Sequence, residues 1–114
     1  MDIEFQDHLI NSDSSWGLLH GDMCVACGGV WEIEPHRGIA WMLITGDMGI
    51  GFYKVHTAVL DYLKHTHLAR VEMAVRSDNS VDMRWAKMLG FKLEGFMEKY
   101  FPDGSDGYLL ARVK

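Results

Sequence analysis

"IAWMLITGDMGIGFYKVHTAVLDYLKHTHLARVEMAVR", from Ile39 to Arg76, reads as a strand, a helix and a second strand in direct succession. The opening "IAWMLIT" is a continuous apolar run, the pattern of a strand covered on both faces. Gly46, Gly49 and Gly51 end it. Phe52, Val55, Val59 and Leu63 then recur at i, i+3, i+7 and i+11, one apolar stripe along a helix. That helix fades in "KHTH", and "ARVEMAVR" alternates as a strand does. A helix joining two strands of one sheet is a crossover, and it makes those strands parallel. Ligands favour the region outside the carboxyl ends of such strands.

Upstream, "MDIEFQDHLINSDSS" has Asp2 as a possible cap and Ile3, Leu9 and Ile10 near helical spacing, so a short helix and a polar loop are expected. "WGLLHGDMCVACGGVWEI" predicts a β-hairpin, with strands over 15–20 and 23–33 and a turn at His20-Gly21-Asp22. Pro35 in "EPHRG" marks the next turn, because proline donates nothing to a ladder. Downstream, "SDNSVDMRWAKMLGF" predicts a second helix with Val81, Trp85, Met88 and Leu89 on its buried side and Gly90 at its stop. "KLEGFMEKYF" and "YLLARVK" predict two last strands around the turn-rich "PDGSDG". The order is helix, three strands, helix, strand, helix, two strands, with no internal repeat and no low-complexity linker.

The 114 residues fit one domain, and 48% hydrophobic with 24% charged residues predicts a packed core. A net charge of −5 argues against nucleic acid as the main partner, since phosphate binding wants a basic face. The apolar runs are too short for a bilayer span, so no membrane partner and a cytoplasmic location are expected. Cys24 and Cys27 form a lone C-V-A-C inside a predicted strand. Strand parity puts residues three apart on opposite faces, which favours two small, half-buried, reduced residues over a redox pair. His20 and His36 are the nearest candidates to complete a zinc site, and no metal is expected. The four tryptophans, Trp16, Trp31, Trp41 and Trp85, read as core and groove lining.

"NSVDMRWAKMLGFKLEG", from Asn79 to Gly95, resembles the C-terminal half of the GNAT superfamily of acyl-CoA-dependent N-acetyltransferases. There an Asn, a short helix and a Gly-Phe pair recur at this spacing, matched here by Asn79, Gly90 and Phe91. The continuation "KLEGFMEKYFPDGSDGYLLARV" is similar to the subgroup that acetylates ribosomal-protein N-termini. The element order agrees over residues 15–114. The resemblance implies an α/β fold: a mixed, mostly antiparallel sheet with one strand–helix–strand crossover. It makes 1–114 a single, N-terminally short domain, with 1–14 a short helix and loop.

The resemblance also implies acetyl-CoA as cosubstrate and a primary amine, on a protein or a small molecule, as acceptor. The superfamily holds the CoA pyrophosphate in a Q/R-x-x-G-x-G/A loop at the start of the long helix, where backbone N–H groups meet the anion. Here the loop reads Gly46-Asp47-Met48-Gly49-Ile50-Gly51, so Gly46, Gly49, Ile50 and Gly51 are implied cofactor-binding positions. Gly46 replaces the Gln or Arg, and Asp47 adds a negative charge. Leu43, Ile44 and Thr45 fall where main-chain amides polarise the thioester carbonyl, and Asn79 where the pantetheine arm is contacted. Where many relatives carry an acid Tyr, Ala86 stands. Glu32 and Glu34 leave their strand on one face and are the candidate general bases, acting through water.

Each residue also has an ordinary explanation. Glycines end strands and relieve close helix packing. Asn79 with Asp82 three residues on is a capping arrangement, and paired glutamates at a strand end are commonly just solvated. The eroded loop and late start also resemble GNAT-like proteins of short-tailed phages. On that alternative the chain is a virion or assembly protein without activity, located in the virion or host cytoplasm. Its sheet edge would be completed by another copy or another chain.

Overall fold

The computed structural model describes the backbone of residues 7–11 and residues 15–44, 49 and 51–114 in full. The elements are β1 (Asp7–Asn11), β2 (Ser15–His20), β3 (Met23–Glu34), β4 (Arg37–Ile44), α1 (Gly51–His65), β5 (Arg70–Arg76), α2 (Ser80–Met88), β6 (Lys92–Met97) and β7 (Gly107–Val113). The strands form one sheet in the order β1-β2-β3-β4-β5-β7-β6. Strand β4 pairs with β5 in parallel, Arg37 to Arg70 through Ile39 to Glu72. The pairs β1–β2, β2–β3, β5–β7 and β6–β7 are antiparallel. The mixed, mostly antiparallel α/β architecture with one crossover is therefore present.

The expected first helix is not. Asp7–Asn11 is a strand, registered on β2 from Asp7–His20 to Asn11–Trp16. Isolated short helices are marginal in water, whereas β2 offers a row of backbone donors and acceptors that a strand satisfies. The edge beside β2 is thus filled by this chain's own residues. The remainder of the expected helix, residues 1–6, lies outside the described residues.

The chain divides into two compact units. One comprises Met1–Trp31 with Ala40–Thr66, the other Glu32–Ile39 with His67–Lys114. In the first, Leu18, Ala26, Val55 and Leu63 are nearly or fully buried. Helix α1 buries Gly51, Val55 and Leu63. Its first residue lies tight against β2: a Cβ on Gly51 would lie 2.7 Å from Leu18 Cδ2, so a larger residue there would make the buried Leu18 side chain shift. On β3, a Cβ on Gly28 would lie 2.7 Å from the Trp41 carbonyl oxygen and 2.8 Å from Trp16 Cζ2. Of the tryptophans expected inside, Trp31 is 70% exposed and Trp41 44% exposed. Apolar runs reveal strands but not which face stays wet.

In the second unit Val71, Val75, Leu110 and Ala111 from β5 and β7 are buried, as are Trp85, Ala86, Leu89 and Phe91. Gly90 takes the left-handed φ of 93° that ends α2. The buried arc of α2 is narrower than expected, with Val81 64% and Met88 62% exposed. Asp82, half-buried on the same side as Trp85 and Ala86, accepts a hydrogen bond from the Asn79 side chain at its carboxylate and donates one to it through its N–H.

One ionic chain crosses this unit. The Arg37 guanidinium donates to Glu34 at 2.9 Å and to both Glu72 oxygens at 2.7 and 3.2 Å. Arg70 donates to Glu72 at 2.6 Å and grips both oxygens of Glu94. Glu72 is only 9% exposed, and a buried carboxylate persists only when fully paired. The hydrogen bonds from Arg37 lead in pulling its pKa down from 4.5 to about 2; burial opposes them and Arg70 adds to them.

Two outcomes follow. Gly28→Ala should destabilise by about 1–3 kcal/mol through overpacking against main chain, read as a lower urea midpoint. Gly17→Ala, where a Cβ meets nothing within 4 Å among the described residues, should shift that midpoint much less. For Glu72, the folded pKa lies below the unfolded one, so its stabilisation is complete above about pH 4.5 and lost as pH falls toward about 2. Glu72→Gln should cost about 1.5–3 kcal/mol at pH 7, and its difference from the natural chain should shrink across that acid window. An equal deficit at every pH would refute the assignment.

Candidate functional site

The start of α1 is built for a particular backbone shape. Gly49 has φ 53°, the left-handed region that favours glycine, and among the described residues a Cβ there would meet nothing within 4 Å. Its carbonyl accepts the Phe52 N–H at 3.2 Å, closing the turn that launches the helix. The two helix-start glycines thus do different jobs: Gly49 supplies conformation and open space, Gly51 supplies clearance for Leu18. A helix start presents N–H groups with no partner inside the helix, and the aligned peptide dipoles add partial positive charge. No acidic residue occupies the first turn of α1. An anion therefore fits this end of the helix. Leu43 and Ile44, at the end of β4, are 63% and 44% exposed. Thr45, Gly46, Asp47, Met48 and Ile50 lie outside the described residues.

Asn79 is the N-cap of α2. Its Oδ1 accepts the Asp82 N–H at 3.0 Å while its Nδ2 donates to the Asp82 carboxylate at 2.7 Å. The Asn79 backbone N–H goes instead to the Arg76 carbonyl, so the reciprocal half of a capping box is replaced by a side-chain bond. Burial raises the Asp82 pKa, opposed by the bond from Asn79. Ala86 is 1% exposed, an apolar core residue where the resemblance would place an acid.

Glu32 and Glu34 end β3, both exposed. Glu34 accepts from Arg37 at 2.9 Å. Glu32 faces the His67 ring nitrogen at 3.4 Å. That pair, and the Arg37–Glu72–Arg70–Glu94 chain, went unread in the sequence. Arg70 and Glu72 alternate along one strand and so share a face, which was visible; their partners come from distant segments and were not.

The two cysteines depart from expectation. Neither is in a disulfide; Cys24 is exposed and Cys27 half-buried. They do not lie on opposite faces, because β3 carries an extra residue between them where the register shifts opposite Leu18 and Leu19. Among the described residues no group of three or more His, Cys, Asp or Glu side chains is placed to hold a metal ion. Among them, too, no helix is long and apolar enough to cross a membrane.

No protein-family model and no curated protein matches the sequence. Solved structures do match the fold. Ard1 from Thermoplasma volcanium is 18% identical with a TM-score of 0.74, over 88% of this chain and 70% of that one. YncA, a putative acetyltransferase from Salmonella typhimurium solved with its cofactor acetyl-CoA, is 12% identical with a TM-score of 0.70, over 87% of this chain and 63% of that one. The ribosomal-protein-S5-alanine acetyltransferase from Vibrio fischeri is 18% identical with a TM-score of 0.67, over 87% of this chain and 60% of that one. This chain spans less than two thirds of the latter two. Strand order, the single parallel crossover and these likenesses agree: the chain has the fold of the GNAT acetyltransferases.

Proposed function

We propose that the chain, acting as one domain over 1–114, is an N-acetyltransferase of the cytoplasm that takes acetyl-CoA and a primary amine. The observation that carries this reading is the left-handed, open Gly49 ahead of α1, in a fold whose similar structures include proteins solved with acetyl-CoA or CoA. Gly46, Gly49, Ile50 and Gly51 would receive the diphosphate through main-chain N–H groups. Leu43, Ile44 and Thr45 would polarise the thioester carbonyl through theirs, and Asn79 would meet the pantetheine arm. The amine nitrogen attacks the carbonyl carbon, the carbon–sulfur bond breaks, and CoA leaves as a thiolate that takes a proton from water. The amine's proton passes through water to a carboxylate. Glu32, paired with a histidine rather than a guanidinium, is better suited than Glu34. Similar structures named for a ribosomal-protein terminus and for spermidine support an amine on either a protein or a small molecule as acceptor.

Calorimetric titration with acetyl-CoA should give saturable binding, and the melting temperature should rise with ligand, by about 2.7 kcal/mol of stabilisation at a hundredfold excess over Kd. Gly49→Val should weaken that binding, since a β-branched residue resists the left-handed region at a cost of about 1–3 kcal/mol. Absence of heat and of any shift at millimolar ligand would overturn the reading. Asn79→Ser separates two roles: serine keeps a capping oxygen for the Asp82 N–H but loses the bond from Nδ2 to the Asp82 carboxylate, so stability should fall by only about 0.5–1.5 kcal/mol while acetyl-CoA affinity falls by more than that loss accounts for. Unchanged affinity would leave Asn79 as a cap alone.

A second reading is favoured by the buried Ala86 and by the Arg37 grip on Glu34: a phage assembly protein that keeps the scaffold without turnover. It would join copies or other chains through an outermost strand, β1 or β6. Stoichiometric co-purification with those chains is its expected result, and acetylation of an amine by the isolated monomer would end it.

A further inference from the structure

Strand β3 carries two thiols for which acyl transfer has no use. In a regular strand Cys24 and Cys27 would be about 10 Å apart and on opposite faces. The β2–β3 register changes that. Leu18 pairs with Ala26 but Leu19 pairs with Cys24, so Val25 is an additional residue with no opposite number, a β-bulge. Counting from the pairing, Cys24 falls on the side of Leu19 and Cys27 on the side of Gly17, two positions along β2 and therefore the same side. Burial agrees, since the successive residues Val25 and Ala26 are both inside at 7% and 1% exposed. The thiols are joined by a side-chain hydrogen bond, and Cys24 Sγ donates in turn to the Ala26 carbonyl at 3.2 Å.

We propose that Cys24 and Cys27 form a reversible dithiol–disulfide couple, oxidised by exchange with a small disulfide. The order of events follows from access. Cys24 is exposed and reacts first: its thiolate attacks one sulfur of the oxidant, forming a mixed disulfide and releasing one thiol. Cys27, half-buried, then gives its proton to water and attacks Cys24 Sγ, expelling the second thiol. Two protein thiols lose two electrons, the oxidant's sulfur–sulfur bond gains them, and two protons end on the released thiols. Burial first, then the neighbouring Cys24 charge and its hydrogen bond, hold the Cys27 thiol above its ordinary range, which suits the resolving partner.

The bulge that brings the two thiols to one side of β3 lies opposite Leu18, the residue packed against Gly51 at the start of α1.

The test incubates the folded protein with mixtures of oxidised and reduced glutathione, quenches with acid, alkylates, and maps the cysteines by mass. The natural chain should become a monomer two hydrogens lighter, linked Cys24 to Cys27, and revert with dithiothreitol. Cys27→Ser should stop as a glutathione adduct on Cys24. Cys24→Ser should react about tenfold more slowly or worse, because only the half-buried thiol remains. Stable adducts on both cysteines, disulfide-linked dimers, or no reaction under conditions that modify the urea-unfolded chain would each overturn the proposal. None of these readouts depends on acetyl-CoA binding.

Discussion

The contact between Leu18 and Gly51 governs the first unit. Leu18 is fully buried near the centre of β2, and the first residue of α1 lies against it without a side chain of its own. A Cβ on Gly51 would meet both Leu18 methyls, at 2.7 and 3.0 Å, so the buried leucine would have to give way before a larger residue could start the helix there. The turn at Gly49, with its left-handed φ, leads into the same helix start. Leu18 also marks the place where β3 gains its extra residue, so the helix start and the bulge between the cysteines meet at one buried side chain.

The second unit is organised by charge as well as by packing. Leu110, Val71 and Val75 form a conventional core, yet Glu72 sits among buried positions because two guanidiniums bracket it. Such a chain of ion pairs is specific rather than strongly stabilising, since desolvation offsets most of the attraction. What it fixes is register. Arg37 and Arg70 are paired positions of the two parallel strands, and a slip by one residue would turn one guanidinium to the other face and leave Glu72 unsatisfied. In the same unit Asn79 caps α2 and satisfies the half-buried Asp82 carboxylate.

The crossover from Ile39 to Arg76 was legible because its two periodicities differ sharply and glycines separate them. Residues 15–34 were legible because a turn flanked by apolar strands has few other solutions. Asp7–Asn11 was misread because two adjacent apolar residues carry no period; only the unpaired side of β2, a tertiary fact, decides for a strand. Cys24 and Cys27 were misread because strand parity assumes a regular ladder, and nothing in "MCVACGGVW" announces the bulge. Val81 and Met88 were assigned inward with Trp85 and Leu89, but the buried face of α2 is narrower than the apolar stripe and takes Trp85, Ala86 and Leu89 only. Of the candidate site, Gly49 and Asn79 were readable by type and position, while the partners of Glu32, Glu34 and Glu72 come from distant segments that no local pattern reveals.

Whether this scaffold can turn over depends more on its backbone than on its missing side chains. A thiol's pKa lies near 8–9 in order-of-magnitude terms, about seven units below that of water. On the proposed reading a departing CoA would need little help from an acid, and Ala86 would remove a modest factor rather than the reaction. General acid–base assistance is worth about 10²–10⁴ at best, and less for so good a leaving group. Preorganised N–H donors on the carbonyl are the larger contribution. The same comparison applies to the proposed diphosphate site. A like charge near a partly exposed anion costs about 1 kcal/mol. Each N–H bond to a charged oxygen returns about 1.5–3 kcal/mol, and a helix end adds about 0.3–1 kcal/mol more, so main-chain donors would outweigh one acidic neighbour.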